Sequence, residues 1–369
     1  MNRAILVIAA LLVASQCSAE GQPAGPDDTA LPFAPNHYVA YRTTAPLLID
    51  GKPDEEDWLA APWTGDFVDI TGEAGMPPRF RTRARMLWDE THFYFAAELE
   101  EPQLWATLTE RDAVIFHDND FEIFIDPDGD THAYYELEFN ALATVWDLML
   151  LKPYRDGGPA VDGWDVRDLA VGVHVEGTLN EPGDTDQRWT VEVAIPWRAF
   201  NEIGRSGLLP KAGDQWRVNF SRVEWQVDVA EGRYVKKIDP ETGKHVPEDN
   251  WVWSPQGAVN MHMPERWGYI QLSSVGAGEG TEAFVLDPNE RVKWALRQLY
   301  YRQRAFFKEH GAFAGDLRLL EGDAISVEGL FFDPSLQVTA SLYEIVAPGF
   351  DGKTVHIRQD GKVWIEKTF

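Results

Sequence analysis

Residues 120–140 read DFEIFIDPDGDTHAYYELEFN and carry the clearest strand pattern in the chain. From Ala133 to Asn140, the odd positions are apolar and the even ones include Glu136 and Glu138. This period of two is typical of a β-strand whose two faces meet different surroundings. Residues 126–130 (DPDGD) separate it from a shorter strand at 121–125 and have the composition of a tight turn. The stretch therefore predicts an antiparallel hairpin.

The same alternation recurs over much of the chain. It predicts further strands at residues 80–87, 93–99, 189–195 and 216–227. No long amphipathic helix precedes residue 287, which disfavours α/β architectures. In 216–227 the apolar residues move from even to odd positions, and this change predicts a bulge or a bend near Ser221 and Arg222. The predicted fold class is mainly β, an antiparallel β-sandwich.

The N-terminus has the pattern of a secretory signal peptide over residues 1–19. Arg3 precedes an apolar run from Ala4 to Ala14, and about eleven apolar residues are too few to cross roughly 30 Å of hydrocarbon. We therefore predict export to the periplasm or the extracellular space, with cleavage after Ala19. Cys17 leaves a lipoprotein as the alternative, although residues 14–16 match such sites poorly. Residues 20–36, rich in Pro, Gly, Asp and Ala, are predicted to be a disordered leader.

The composition restricts the partners of the mature protein. A formal net charge of −27 argues against nucleic acids and anionic lipid surfaces, which bind basic proteins. No other stretch is apolar and long enough to span a membrane. Cleavage removes the single cysteine, so neither a disulfide nor a cysteine nucleophile is predicted. The excess carboxylates favour neutral or cationic partners, Ca²⁺ included, unless they serve solubility alone.

A second unit is predicted after the sandwich. Residues 273–283 have the composition of a flexible linker, which bounds the sandwich at 37–272. Asp287 and Glu290 form a capping box around Pro288, which predicts a helix from Pro288 to about His310. Strand patterns follow the helix. Residues 284–369 are therefore predicted to be a small α+β unit, a helix with a small antiparallel sheet.

Five segments of the sandwich carry a family resemblance. They are Ile49-Asp50-Gly51-Lys52 with Trp58, Leu87-Trp88-Asp89-Glu90, Asp120 to Asp126, Ala194-Ile195-Pro196-Trp197, and Trp253-Ser254-Pro255. In this order and spacing, residues 41–272 resemble the family 9 carbohydrate-binding modules, within the wider superfamily of DOMON-like sandwiches. The resemblance implies two antiparallel sheets, structural calcium and a cleft in which aromatic rings hold the end of a sugar chain.

The resemblance also points to binding residues. One stacking ring of the family lies just before the strand that begins here at Asp120, and Phe116 occupies that place. The second falls within residues 260–268, where Met261 or His262 replaces the family's Trp.

Sugar binding needs aromatic rings beside hydrogen-bonding side chains. Strand logic adds candidates of these types, namely Asn140, Arg222, Glu224, Trp225 and Trp253. For any single Trp of a sandwich the alternative is a place in the core. We therefore predict a binding region, not a role for each ring.

The acidic turn offers a metal site. Asp126, Asp128 and Asp130 occupy alternate positions, and oxygen ligands of this kind suit Ca²⁺. The spacing is not that of an EF-hand, because the helices are missing and Gly129 falls at the wrong offset. A solvated hairpin turn is the alternative.

Three functions follow from these patterns. The first is an exported, non-catalytic carbohydrate-binding protein that captures glycans for breakdown by partner glycosidases. The second is a glycoside hydrolase, with a carboxylate pair drawn from Glu122, Glu136, Glu138 and Glu224. The third is a haem-binding electron-transfer domain with ligands from residues 261–263. Since no Cys-x-x-Cys-His segment occurs, that haem would be held without a covalent link, and it is the least favoured cofactor.

Overall fold

A computed structural model describes residues 32–202 and 210–366. The predicted signal peptide, Cys17 and most of the leader lie outside the described residues. Two residues assigned to the end of the leader contact the folded body. Phe33 stacks on Trp294 with ring centroids 5.7 Å apart, and the carbonyl of Asn36 accepts the N–H of Tyr269 at 2.8 Å.

The N-terminal two thirds of the described chain form β-strands. They are β1 (His37–Arg42), β2 (Val68–Asp69), β3 (Thr82–Trp88), β4 (His92–Glu100), β5 (Asp120–Asp126), β6 (Tyr134–Asn140), β7 (Val145–Leu150), β8 (Ala160–Val161), β9 (Ala170–Glu176), β10 (Arg188–Pro196), β11 (Gln215–Glu224), β12 (Val227–Ala230), β13 (Arg233–Lys236), β14 (Asp249–Val252) and β15 (Gly268–Gly276). A short helix α1 (Glu56–Ala60) and several 3₁₀ turns connect them, among them Ile115–His117, Tyr154–Asp156 and Pro264–Arg266.

The strands follow one hydrogen-bonded path, β8-β7-β6-β5-β11-β15-β1-β3-β4-β10-β9. Pairing along it is antiparallel except at β1, which is parallel to both β15 and β3. The path folds back on itself, since Phe95 of β4 contacts Phe220 of β11 with ring centroids 5.9 Å apart. The predicted antiparallel β-sandwich is confirmed.

The core lies between the two layers and takes the alternate apolar positions that the sequence predicts. Phe121, Ile123 and Ile125 of β5 face it, as do the odd positions of β6 and β10. The interior therefore selects one face of every central strand, and the other face is free for polar residues.

Of the bulge or bend predicted in β11, the bulge is wrong. Ser221 pairs with both Glu122 and Val252, and the register is continuous on both sides. The even positions keep facing inward beyond Phe220, but there they hold the buried ion pair of Arg222 and Glu224. The apolar residues move from even to odd positions because the side chains that face inward become polar there, not because the register of the backbone shifts.

The C-terminal unit consists of α2 (Asn289–His310) and a four-stranded antiparallel sheet. Its strands are β16 (Ser335–Val338), β17 (Tyr343–Pro348), β18 (Thr354–Arg358) and β19 (Val363–Glu366). Asp287 accepts the N–H of Asn289 at 2.9 Å, and Gly311 ends the helix with a φ of +70°. The predicted α+β unit is confirmed. Within the described residues, no helix has both the length and the apolarity to cross a membrane.

The segment predicted as a linker follows the surface of the sandwich. Strand β15 continues past the predicted boundary at 272, and Val275 and Ala277 pack in an apolar cluster with Trp58. Further along, the Glu282 carboxylate accepts hydrogen bonds from Gln271 and Ser273 at 2.8 and 2.5 Å. These contacts give the segment anchors that its composition does not reveal.

Buried charges join the C-terminal unit to the sandwich. Glu265 pairs with Arg155 at 2.6 Å and accepts a hydrogen bond from Tyr301 of α2. Arg217 of β11 pairs with Glu290 of α2 at 3.3 Å. Burial opposes ionisation of Glu265, but the charges of Arg155 and Arg297 and the hydrogen bonds from Arg155 and Tyr301 together outweigh it and hold the pKa of this carboxyl well below its usual range. The two units are therefore expected to unfold together.

Removing one partner of this network should test that coupling. We expect Glu265→Ala to lower the free energy of unfolding by about 3 kcal/mol, because it removes the closer of the two carboxylates that pair with the buried Arg155. Urea denaturation followed by tryptophan fluorescence measures the change. The exposed Glu309→Ala serves as control and should leave the curve unchanged. Two separate transitions, with the first one alone affected, would contradict the coupling.

Candidate functional site

Four carboxylic side chains share the outer face of the β5–β6 hairpin. They are Asp120, Glu122, Glu136 and Glu138, which we call the acidic face, and all four are buried. They point away from the core because the odd positions of both strands point into it. Glu122 lies directly opposite Glu138, and Asp120, Glu122 and Glu138 offer oxygen atoms within 4.8 Å of one another.

The environment of the acidic face favours protonated carboxyls. Burial raises the pKa of Glu122 to about 7. Burial, and then repulsion from Glu122, raises the pKa values of Asp120, Glu136 and Glu138 well above the ordinary range. A protonated carboxyl donates one hydrogen bond and still accepts others. At neutral pH the acidic face can therefore offer both donors and acceptors to a ligand.

Two aromatic rings border the acidic face. Trp146 of β7 is half-buried and lies directly opposite Glu138 of β6, so both side chains share one face of the sheet. Phe116, also half-buried, lies in the 3₁₀ turn Ile115–His117; its backbone N–H donates to Glu138 at 3.0 Å, and its ring packs with Val223 and Trp225. The face thus combines flat apolar surfaces with fixed polar groups.

Hydrogen bonds to buried side chains hold the loop that carries Phe116. The carboxylate of Asp118 accepts N–H groups of Thr107 and Leu108 at 2.8 Å and the Asn140 amide at 3.0 Å. Trp225 donates its indole N–H to the carbonyl of Phe116 at 2.8 Å. The structure therefore brings three predicted residues, Phe116, Asn140 and Trp225, to one end of the acidic face. There, Asn140 and the indole N–H of Trp225 fasten the loop.

Arg222 and Glu224 lie on the opposite, inner side of β11. The Arg222 guanidinium contacts Glu101 at 2.9 Å and Glu224 at 2.8 Å, and it donates to Thr82 at 3.0 Å. Burial, opposed by Arg222, raises the pKa of Glu224 well above its ordinary value. This network connects the two layers, and its side chains do not share a face with Glu122.

Trp253 and His262 are placed apart from Phe116. Trp253 is 2% exposed and packs in the core, 5.8 Å from Phe220 between ring centroids. His262 Nδ1 lies 3.0 Å from the hydroxyl of Tyr134, at the opposite end of β6 from Asn140. Burial, aided by Arg155, lowers the pKa of His262 to about 3, so this ring is neutral.

The acidic turn after β5 is occupied by donors from its own backbone and from the C-terminal unit. Asp126 accepts the N–H groups of Gly129 and Thr131, both at 2.9 Å. Lys362 lies 2.6 Å from Asp130. The oxygens of Asp126, Asp128 and Asp130 still come within 4.8 Å of one another, which suits Ca²⁺, but the Lys362 ammonium competes for the same charge. Calcium at this turn stays a prediction.

Neither Trp146 nor a place in the binding region for the glutamates of β5 and β6 was predicted from the sequence. The available signal was the set of acidic even positions in 120–126 and 134–140, together with Trp146 six residues after Asn140. That signal shows which side chains avoid the core. It does not show that surrounding loops bury them.

A comparison with protein families identifies the class of the sandwich. The family model "Carbohydrate family 9 binding domain-like" matches residues 49–274, which include the whole acidic face. The match covers more than half of the 369 residues, so the protein belongs to this family. The predicted resemblance is confirmed. Comparison with curated proteins finds no match.

Solved structures similar to the chain have low sequence identity. A candidate carbohydrate-binding protein from Bacteroides uniformis ATCC 8492 is 14% identical, with a TM-score of 0.48 over 65% of this chain and 100% of its own. A family 9 carbohydrate-binding module from Caldicellulosiruptor kristjanssonii in complex with cellotriose is also 14% identical, with a TM-score of 0.40 over 68% and 100% of the two chains. Its complex with glucose gives a TM-score of 0.39 at the same identity and coverage. The family assignment therefore rests on the match to residues 49–274.

The raised pKa of Glu122 predicts a pH dependence of stability. A carboxyl whose pKa is higher in the folded than in the unfolded protein stabilises the fold while protonated, and that stability is lost as pH rises through the folded pKa. We therefore expect the melting temperature to fall between pH 5 and pH 8, and to fall less in Glu122→Gln. Differential scanning calorimetry at both pH values measures this. Glu309→Gln is the matched control. An equal fall of the melting temperature with pH in all three proteins would contradict the raised pKa of Glu122.

Competition at the acidic turn predicts a calcium effect that depends on Lys362. We expect millimolar Ca²⁺ to raise the melting temperature relative to EDTA, because metal that binds only the folded state stabilises it. The increase should be larger in Lys362→Ala, where the ammonium no longer competes. The exposed Lys308→Ala should behave as the parent protein does. Identical curves with EDTA and Ca²⁺ in all three proteins would remove calcium from this turn.

Proposed function

We propose that this protein binds carbohydrate at the acidic face, with Trp146 and Phe116 as stacking rings, and does no chemistry itself. The observation that carries the proposal is the placement of half-buried Trp146 beside buried carboxyls on one face of the sheet, with Phe116 held next to Glu138 through its backbone N–H. The C–H face of a pyranose stacks on aromatic rings, and its hydroxyls need fixed donors and acceptors. Protonated and ionised carboxyls together provide both.

The biological setting is part of the same proposal. Export is supported by the signal-peptide pattern of residues 1–19, which lie outside the described residues. In the periplasm or outside the cell, a binding module without its own activity would retain glycans near glycosidases that cleave them. The solved family 9 modules with cellotriose and glucose make β-linked glucose chains the first probes to use.

One observation favours a hydrolase as the second candidate. Burial raises the pKa of Glu122 to about 7, and a general acid that works near neutral pH needs a pKa of this kind. Glu138 and Asp120 lie close enough to supply a second carboxylate. Retaining glycosidases place their two carboxyl groups roughly 5 Å apart. Release of reducing ends from a glycan that binds would favour this candidate, and unchanged glycan would favour pure binding.

Removing a stacking ring tests the proposed site. A glycan array identifies a bound oligosaccharide, and titration calorimetry then gives its Kd for the parent, Trp146→Ala and Phe116→Ala. Each truncation should weaken binding roughly fivefold, because it removes a contact of about 1 kcal/mol. Trp364→Ala is the matched control, since that half-buried Trp lies on β19 of the C-terminal unit.

Two results would contradict the proposal. Binding unchanged in both truncations would place the sugar elsewhere. No binding of any glycan by the parent protein would remove carbohydrate binding as the function.

A further inference from the structure

Within the part of the chain that the structure describes, no cationic side chain forms an ion pair with the acidic face. Apart from one another, the charged side chains that act most strongly on its members are Asp118, Asp162 and Glu248, which are also acidic. None of the ion pairs formed within residues 32–202 and 210–366 includes Asp120, Glu122, Glu136 or Glu138. Four buried carboxyls therefore stand together without a paired cation among the described residues.

The neighbouring network shows that this lack is specific to the face. On the inner side of β11, Glu101 and Glu224 are as deeply buried, and Arg222 pairs with both at 2.9 and 2.8 Å. The fold thus supplies a guanidinium where clustered carboxylates connect the two layers. On the outer side of the β5–β6 hairpin, the described residues pair no guanidinium with the clustered carboxyls.

One oxygen of the acidic face has no hydrogen-bond partner. Asp120 is 0% exposed, and its Oδ1 accepts the N–H of Val223 at 3.1 Å. Its Oδ2 is buried without any donor. A buried acceptor without a donor is costly, so this atom points to a donor that arrives with a ligand.

We propose that the acidic face selects sugars that carry a free ammonium group, such as 2-amino-2-deoxyglucose units, with the ammonium held by Asp120, Glu122 and Glu138. This inference rests on the proposed function and names its ligand class. An ammonium has three N–H donors and no acceptor, which suits three converging carboxyl groups, and its charge favours their ionised form over the protonated form that burial favours in the free protein. The pyranose that carries it also offers a C–H face to Trp146, which a bare metal ion does not.

The charge of the whole protein acts in the same direction. A net charge of −27 attracts cationic oligosaccharides over a long range and accelerates their association. This general attraction falls with salt, whereas a short contact with buried carboxylates is screened much less. Selectivity that persists at 0.3 M NaCl therefore belongs to the site.

Three trisaccharides that differ only at C2 test the inference. Chitotriose (β-1,4-linked glucosamine), cellotriose and N,N′,N″-triacetylchitotriose carry an ammonium, a hydroxyl and an acetamide at that carbon. Titration calorimetry of the full mature chain at pH 6 and 0.3 M NaCl should give chitotriose at least tenfold tighter than the other two. At pH 9, where the sugar amine is neutral, this preference should disappear.

Variants separate the acidic face from the general charge. Glu122→Gln and Asp120→Asn should each reduce the preference for chitotriose over cellotriose to threefold or less, with melting curves recorded to show that both variants are folded. Asp228→Asn, an exposed change of equal charge on β12, should leave the preference intact. An equal loss in all three variants, or no loss in the first two, would overturn the inference.

The outcomes distinguish this inference from the proposed function. Cellotriose bound as tightly as chitotriose, or more tightly, would overturn the ammonium selectivity and leave carbohydrate binding standing. If none of the three trisaccharides binds and the glycan array shows no ligand, both the ammonium selectivity and carbohydrate binding are overturned.

Discussion

The pairing of β5 with β6 is the constraint from which the rest of this molecule follows. The apolar odd positions of both strands must face the core, so every even position faces outward. The register then sets Glu122 opposite Glu138, and like charges directly opposite are unfavourable in a sheet. A shift of one residue would relieve the repulsion only by moving Phe121, Ile123 and Ile125 out of the core. The hydrophobic requirement is stronger, and the carboxyls are held together.

Burial makes protonation of these crowded carboxyls favourable. Outward-facing carboxylates in water would stay ionised and interact weakly through solvent. Here the loop of residues 101–119 covers one end of the face, fastened through Asp118, and an apolar cluster with Phe124, Tyr134 and Trp267 covers the other. The carboxyls must then take up protons, as the raised pKa of Glu122 shows, or receive donors from a ligand.

The sequence predicts the sandwich well because alternation reports directly on the core. The strands at 121–125, 133–140 and 189–195 all lie where the pattern places them, and all turn the predicted side inward. The pattern fails where the interior is polar. Around Arg222 and Glu224 a buried ion-pair network has the same appearance in sequence as an exposed face, so the change in parity resembles a bulge.

The candidate site was harder to predict for a related reason. Alternation separates core-facing from outward-facing side chains, but it says nothing about what covers the outer face. Phe116 and Asn140 reach the site because they flank β5 and β6 directly, whereas Trp253 packs inside and His262 lies at the far end of the hairpin. Trp146 depends on the register of β7 against β6, which no local pattern specifies.

The two ends of the β5–β6 hairpin show two solutions to the same electrostatic problem. At the turn, Asp126, Asp128 and Asp130 are clustered as closely as the carboxyls of the acidic face, and the C-terminal unit supplies Lys362 to Asp130 and Lys293 to the carbonyl of Gly129. That end is closed by cations from the same chain, and those contacts also fix the C-terminal unit in place. At the other end the described residues place aromatic rings beside the acidic face and form no ion pair with its four carboxyls, and Lys236 lies over the Trp225 ring, 3.3 Å from its centroid. The fold thus neutralises one acidic cluster and leaves its buried neighbour beside Trp146 without an ion pair, which is the reason to propose a cationic ligand there.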